Sequence, residues 1–213
     1  MYPINLDVEG KSCLVVGGGR VALGKVRELL LCRAEVKVVA PSICQELLEL
    51  AEGSADLPAL SLCQRTYQPS DMDGCLIAIA ATGDSEVNRQ VFQDGQQQGV
   101  LVNSADDPEN CHFTLPARLR RADLLVTIST EGRSPAMASW LRQQLEASLS
   151  EGLEQMLDVV AEVREEIKAQ GISTESLDWT TALNNDILKL IQAGKTSEAK
   201  ARLRTSLGIS DNS

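Results

Sequence analysis

Histidine occurs once in this 213-residue chain, and basic residues are outnumbered, 20 Lys and Arg against 30 Asp and Glu, for a formal net charge of −10. A single histidine, His112, excludes a His-rich metal site within one subunit, and no metal ligands are assigned. The deficit of positive charge argues against nucleic acid as a partner. No apolar run approaches the roughly 18 residues that mark a membrane-spanning helix. The opening MYPINLDVEG has neither the charged start, the apolar centre nor the cleavage site of a secretory signal. The six cysteines include no Cys-x-x-Cys pair and several fall in apolar runs, so buried reduced thiols in a cytoplasmic protein are expected.

Against these absences, one short stretch is dense in signal. Residues 12–16, SCLVV, form an apolar run without alternation, as a strand buried on both faces would. Three glycines follow at once, and from Val21 the positions Val21, Ala22, Val26, Leu29 and Leu30 recur at helical spacing. Gly17, Gly19 and Ala22 thus match the Gly-x-Gly-x-x-Gly/Ala fingerprint between a strand and a helix. In that context Gly17 permits the tight turn and Gly19 the approach of a pyrophosphate. Arg20 and Val21 open the helix whose N–H groups would meet the phosphates. The acid expected at the end of the second strand is missing, because 39–42 read Val, Ala, Pro, Ser. Ala40, Pro41 and Ser42 are therefore the candidates for the ribose, and the absence of a cation there favours NAD over NADP.

Further along, 34–41 reads as the second strand and 42–53 as a helix capped by Ser42. Residues 75–82 read as a third strand ending at Thr82, 84–99 as a helix, and 100–109 as a strand running into a polar loop. Alternating strands and helices predict an α/β, doubly wound parallel sheet of Rossmann type. Ligands of such sheets sit beyond the carboxyl ends of the strands, where Thr82, Asn103, Asp106 and Asp107 fall, and Thr82 and Asn103 are further candidates for the cofactor. After Phe113 the pattern changes. Residues 122–130 read as one strand, and 134–149 as a helix opened by Ser-Pro. From 152 the chain is mainly helical, with a stripe of Leu153, Met156, Leu157, Val160, Val163 and Ile167, and only the last few residues are expected to be disordered.

The segments YPINLDVEGKSCLVVGGGRVALGKV, AIAATGDSEVN, VNSADDPENCHFTLPA and ISTEGRSPAMASWLRQQLE, in this order and spacing, closely resemble the precorrin-2 dehydrogenase and sirohydrochlorin ferrochelatase family. That family includes the N-terminal module of siroheme synthase. The resemblance covers residues 2 to about 149. It implies a Rossmann-like NAD domain at 1–113, a small α+β dimerisation and substrate region at 114–149, a helical part at 150–213, and a homodimer. It further implies NAD as cofactor, precorrin-2 as substrate, and in some members insertion of ferrous iron, a transient metal substrate. The family's functional aspartate falls at Asp106, with Asp107 left to shape the loop before Pro108. Ser129, Thr130, Arg133 and Ser134 lie in the segment the family places at its cleft, and His112 is a further candidate for substrate contact. Arg118, Arg120, Arg121, Arg133 and Arg142, against only Asp123 and Glu131 between positions 117 and 142, would suit a polycarboxylate. No methyltransferase module follows in this sequence, so the methyl groups of precorrin-2 are expected from another protein. The competing readings are a dehydrogenase of an unrelated small substrate and a non-catalytic dinucleotide sensor.

Overall fold

The computed structural model describes residues 1–53, 60–105 and 107–209. The end expected to be disordered therefore lies in part outside the described residues. The chain divides into two compact units, Met1–Leu115 and Pro116–Ser213.

In the first unit five parallel strands, β1 (Ser12–Val16), β2 (Glu35–Val39), β3 (Leu60–Cys63), β4 (Ile77–Ala80) and β5 (Leu101–Ser104), stand in the order β3-β2-β1-β4-β5. The apolar runs without alternation have their cause here, since helices cover both faces. Cys13, Val15, Val36, Val38, Ile77 and Ile79 pack on one face against α1 (Arg20–Leu31) and Leu47 of α2 (Gln45–Glu52). Leu14, Val16, Val39, Ala78, Ala80 and Val102 pack on the other, against Val91 of α3 (Ser85–Gln98). Each Val, Leu or Ile side chain among them contributes about 1.5–3 kcal/mol on removal from water. Helix α3 begins where Asp84 accepts the N–H groups of Glu86 and Val87 and stops at Gly99, left-handed with φ 73°. Gly95 lets it lie directly on β5, because a Cβ there would collide with Val102.

Three expectations need correction in this unit. The edge strand β3 was not anticipated. Helix α2 starts at Gln45 with Cys44, not Ser42, before it. Cys44 N–H is instead held by the Gly18 carbonyl at 2.8 Å, which keeps 42–44 out of the helix. Of the six thiols only Cys13 is fully buried and Cys32 is exposed, because Cys32 ends α1 at the surface. Burial pushes the Cys13 thiol up to about 11.

The second unit opens with a hairpin, β6 (Ala117–Arg121) antiparallel to β7 (Leu124–Ile128), on which α4 (Pro135–Ser148) packs. The single strand expected at 122–130 thus has a sequence-local partner, since the arginine-rich ARLRR pairs with it as a strand in which Leu119 is buried and Arg120 exposed. As the Ser-Pro pair predicts, Ser134 Oγ accepts Met137 N–H at 3.2 Å. Among the described residues four helices follow, α5 (Leu153–Ala169), α6 (Trp179–Ala182), α7 (Asn185–Gln192) and α8 (Thr196–Ser206). Their core is Val159, Val163, Ile167, Ile187, Ile191 and Leu203. Of the predicted stripe, Val163 and Ile167 are buried and Met156 and Val160 pack against this core, with Val159 added to it, while Leu157 is left 38% exposed. Among the described residues no helix is long and apolar enough to cross a membrane.

One buried charge organises the outer edge of the sheet. Lys37, in the middle of β2, points to the α3 face, where it meets Asp71 at 2.7 Å. The Asp71 side chain is 2% exposed and also takes Arg65 through both guanidinium nitrogens, at 2.6 and 2.7 Å, and Gln68 N–H at 2.9 Å. Chiefly the Arg65 hydrogen bonds, with Lys37 and the Gln68 amide assisting against burial, hold this carboxyl well below the usual carboxylate range. Removing one member of a buried pair costs about 3 kcal/mol or more, so Asp71→Asn is expected to lose about 3 kcal/mol in urea unfolding at pH 7. Because the folded pKa is depressed, the advantage over Asp71→Asn is complete above the unfolded carboxyl value of about 3.9. It should shrink as pH falls below that value, while a constant difference from pH 7 to pH 2 would show the ion group to be unimportant.

Candidate dinucleotide site

The strand order reverses direction of travel between β1 and β4, and the three glycines stand at that switch point, where open α/β sheets bind their ligands. Each glycine answers a different constraint. Gly17 has φ 130°, donates its N–H to the Val39 carbonyl at 2.9 Å, and passes so near the Ala81 carbonyl that a Cβ would collide with it. Gly18, which the fingerprint leaves unassigned, is equally constrained, because a Cβ would strike the Ser42 carbonyl and lie 2.9 Å from the Ile43 Cα. Gly19 is the opposite case. It has nothing within 4 Å of a built Cβ, a backbone any residue can adopt at φ −93°, and an exposed position at the start of α1.

That open space lies over helix N–H groups without a side-chain cap, and the first turn of α1 carries no acid. Uncapped N–H donors, the positive end of a helix dipole and room for a close approach are what a pyrophosphate needs. The described residues therefore fit a dinucleotide. Arg20 and Val21 are exposed at the same turn, and Ala22 is fully buried under it. Ala40 is buried at the end of β2, with Pro41 and Ser42 exposed beyond it.

At the end of β4 the Thr82 hydroxyl lies 2.7 Å from Asn88 Oδ1 and 2.9 Å from the Asp84 carbonyl, while Asn88 Nδ2 donates back to Thr82 O at 3.1 Å. Asn88 is 5% exposed and holds the β4–α3 turn in place. Sequence reasoning missed it, although a polar residue on the buried side of an amphipathic helix was the available signal. Asn103 is buried and donates Nδ2 to the Phe113 carbonyl at 2.9 Å, fastening the returning chain to β5. Among the described residues, Ser104 Oγ is buried without a hydrogen-bond partner. Asp106 lies outside the described residues. Its neighbour Asp107 caps the short turn Pro108–Asn110, accepting Glu109 N–H at 3.2 Å and Asn110 Nδ2 at 2.6 Å. His112 serves the sheet edge: Nδ1 accepts Val102 N–H at 3.0 Å, its own N–H donates to Val102 O, and its ring lies on Phe92 at 4.8 Å. Of its ring nitrogens, Nε2 has no partner among the described residues.

The other candidates belong to the second unit. Thr130 Oγ1 donates to the Ser134 carbonyl at 3.1 Å and accepts Ser134 N–H at 3.2 Å. Ser129 Oγ accepts Glu131 N–H at 3.1 Å. Arg133 N–H donates to Thr130 O at 3.0 Å, through a turn in which Glu131 and Gly132 have φ 53° and 79°. These hydroxyls build the turn that starts α4. Of the arginines, Arg121 reaches the Glu146 carbonyl and Glu154, and Arg142 pairs with Glu146, whereas Arg120 and Arg133 are exposed. No group of three or more His, Cys, Asp or Glu placed to hold a metal occurs among the described residues.

Comparison with known proteins gives consistent matches. Residues 4–117 match the profile of the family described as "Putative NAD(P)-binding", and residues 123–148 that of "Sirohaem biosynthesis protein central". The siroheme synthase of Nitrosococcus oceani is 38% identical over 207 residues, 96% of this chain and 43% of that protein. That of Photorhabdus laumondii is 35% identical over 211 residues, 98% of this chain and 44% of that protein. The chain thus spans less than half the length of these curated relatives. Among solved structures, SirC, a precorrin-2 dehydrogenase, matches with a TM-score of 0.73 at 26% identity, over 96% of this chain and 100% of that one.

The glycines separate by experiment. Gly19→Asp puts a carboxylate into open space, so the fold should survive while NAD affinity drops at least about tenfold, the scale of a lost charge-assisted contact. Gly18→Ala should instead lower the unfolding midpoint, because its methyl meets backbone. Undiminished NAD binding by Gly19→Asp in titration calorimetry would remove the phosphate assignment.

Proposed function

The chain belongs to the NAD(P)-binding family of siroheme biosynthesis, and on that premise we propose that it is a cytoplasmic dehydrogenase that oxidises precorrin-2 to sirohydrochlorin. The observation that carries this reading is the uncapped, glycine-lined start of α1 at the sheet's switch point, in a chain that matches a precorrin-2 dehydrogenase from end to end. Bound NAD supplies the hydride acceptor, so precorrin-2 and NAD⁺ give sirohydrochlorin, NADH and a proton. The chain's own part is binding, orientation and proton removal. The N–H groups from Gly19 onward hold the pyrophosphate. Asp106, which the family resemblance singles out beyond the carboxyl end of β5, takes the proton. Arg120 and Arg133 are the exposed guanidinium groups that remain for the substrate's carboxylates. Ser129, Thr130, Ser134 and the Nε2 of His112 are secondary candidates for substrate contact.

The test is direct: purified protein, precorrin-2 and NAD, followed by absorbance, with and without ferrous or cobaltous ion. NAD-dependent formation of sirohydrochlorin is expected, and loss of free sirohydrochlorin on adding metal would identify a ferrochelatase acting on the metal as substrate. Asp106→Ala should lower turnover about 10²- to 10⁴-fold with NAD affinity nearly intact, and Asp107→Ala should be far milder. NAD binding without precorrin-2 oxidation would favour an unrelated substrate or a dinucleotide sensor.

We also propose a homodimer formed through the 114–149 region. Supporting it, α4 carries Met137, Trp140 and Leu145 at 54%, 55% and 38% exposure on a helix already packed on its own hairpin, an apolar surface of the kind interfaces cover. Sedimentation at micromolar concentration should show a dimer, and Trp140→Glu should convert it to a monomer. A wild-type monomer would overturn this.

A further inference from the structure

In the common arrangement the second strand of a dinucleotide-binding sheet ends in a carboxylate that accepts the adenosine 2′-hydroxyl. Here β2 runs out through Val39, Ala40, Pro41 and Ser42 with no acid. The adjacent strand offers an acceptor in its place. Val39 lies beside Cys63 in register, and Ala40 N–H donates to the Cys63 carbonyl at 3.2 Å. The next residue of that strand, Gln64, therefore emerges at the carboxyl edge of the sheet beside Pro41. Its side chain is exposed, and Nε2 donates to the Pro41 carbonyl at 3.4 Å. An amide tethered through its nitrogen presents its oxygen as a free acceptor, because the two ends of the group are fixed relative to each other.

The surrounding charge points the same way. Lys37 of the neighbouring strand and Arg65, the residue after Gln64, are both held by Asp71, and Arg65 spends a further donor on the Thr66 carbonyl at 2.9 Å. Neither is disposed to meet a 2′-phosphate.

We propose that Gln64 Oε1 accepts the adenosine 2′-hydroxyl of bound NAD, so that a neutral amide on β3 selects the ribose where an acid on β2 usually does. Gln64 is then a specificity-determining residue of the site; the inference rests on the dinucleotide reading above. NAD should bind wild-type protein about five- to tenfold more tightly than NAD lacking that hydroxyl, the scale of one hydrogen bond. NADP, whose phosphate meets an acceptor and no disposed cation, should bind at least about tenfold more weakly than NAD.

The experiment is a titration of wild type, Gln64→Ala and Ser42→Ala with NAD, 2′-deoxy-NAD and NADP, read as dissociation constants. Gln64→Ala should lose NAD affinity by the same five- to tenfold factor and no longer distinguish NAD from 2′-deoxy-NAD. If Gln64→Ala keeps the full discrimination, if the discrimination disappears in Ser42→Ala instead, or if NADP binds more tightly than NAD, the assignment is overturned while the dinucleotide reading stands. If wild type binds no dinucleotide, both fall together.

Discussion

The first unit depends on a backbone contact. Two crossovers meet the first strand at its carboxyl end: the turn after β1 must pass under the Ala81 carbonyl on one side and against the Ser42 carbonyl on the other. Only residues without a Cβ pass both places, so Gly17 and Gly18 let β4 and the start of the second helix close against β1. Everything that defines the site follows from that closeness. The Gly18 carbonyl takes the Cys44 N–H, Ser42 is kept out of the helix, and α1 begins with its N–H groups facing open space. A turn that is sterically full on two sides and empty on the third is a binding turn because its empty side coincides with the helix start.

The two faces of the sheet are stabilised differently. One is covered by α1 and α2 and is closed chiefly by apolar contact, with Asn103 donating to the Phe113 carbonyl at its β5 edge. On the other, α3 lies across β4 and β5, and the edge formed by β2 and β3 is closed by the ion group around Asp71 and by Tyr67, whose hydroxyl donates to Asp94 at 2.9 Å. Asp71, the buried member of the group, could not stay charged there without Lys37 and Arg65. The charge is therefore part of how the edge is covered, and it keeps Arg65 in a fixed place just beyond β3.

Much of this was legible in the residues themselves. Uninterrupted apolar strands, a glycine turn at the right spacing and Ser-Pro before a helix are local signals with local causes, and β1, α1, β4, α3 and α4 follow from them. What could not be read depends on neighbours distant in sequence. LSLC alternates too briefly to announce β3 until β2 is beside it, and ARLRR looks like a solvated basic run until β7 pairs with it. The same holds for the site. Gly19 was legible from the fingerprint, whereas Gly18 and Asn88 act on carbonyls and turns that become adjacent only in the fold. His112 and Asn103, attractive as ligand contacts in sequence, turn much of their hydrogen-bonding capacity to fixing the chain that returns along β5.

A net charge of −10 makes the choice of anion receptor a constraint. Many of the cations that could have served are bound internally: Lys37 and Arg65 to Asp71, Arg142 to Glu146, Lys200 to Glu162 and Arg204 to Glu166. Long-range attraction of a polyanion is thus unfavourable at low ionic strength, but at physiological salt such repulsion is screened beyond about 8 Å. Backbone N–H groups act inside that distance, carry no net charge to be neutralised by nearby acids, and need only an approach path free of side chains. An acidic protein can therefore hold a dinucleotide through the start of α1 without a basic patch, provided its third glycine stays bare.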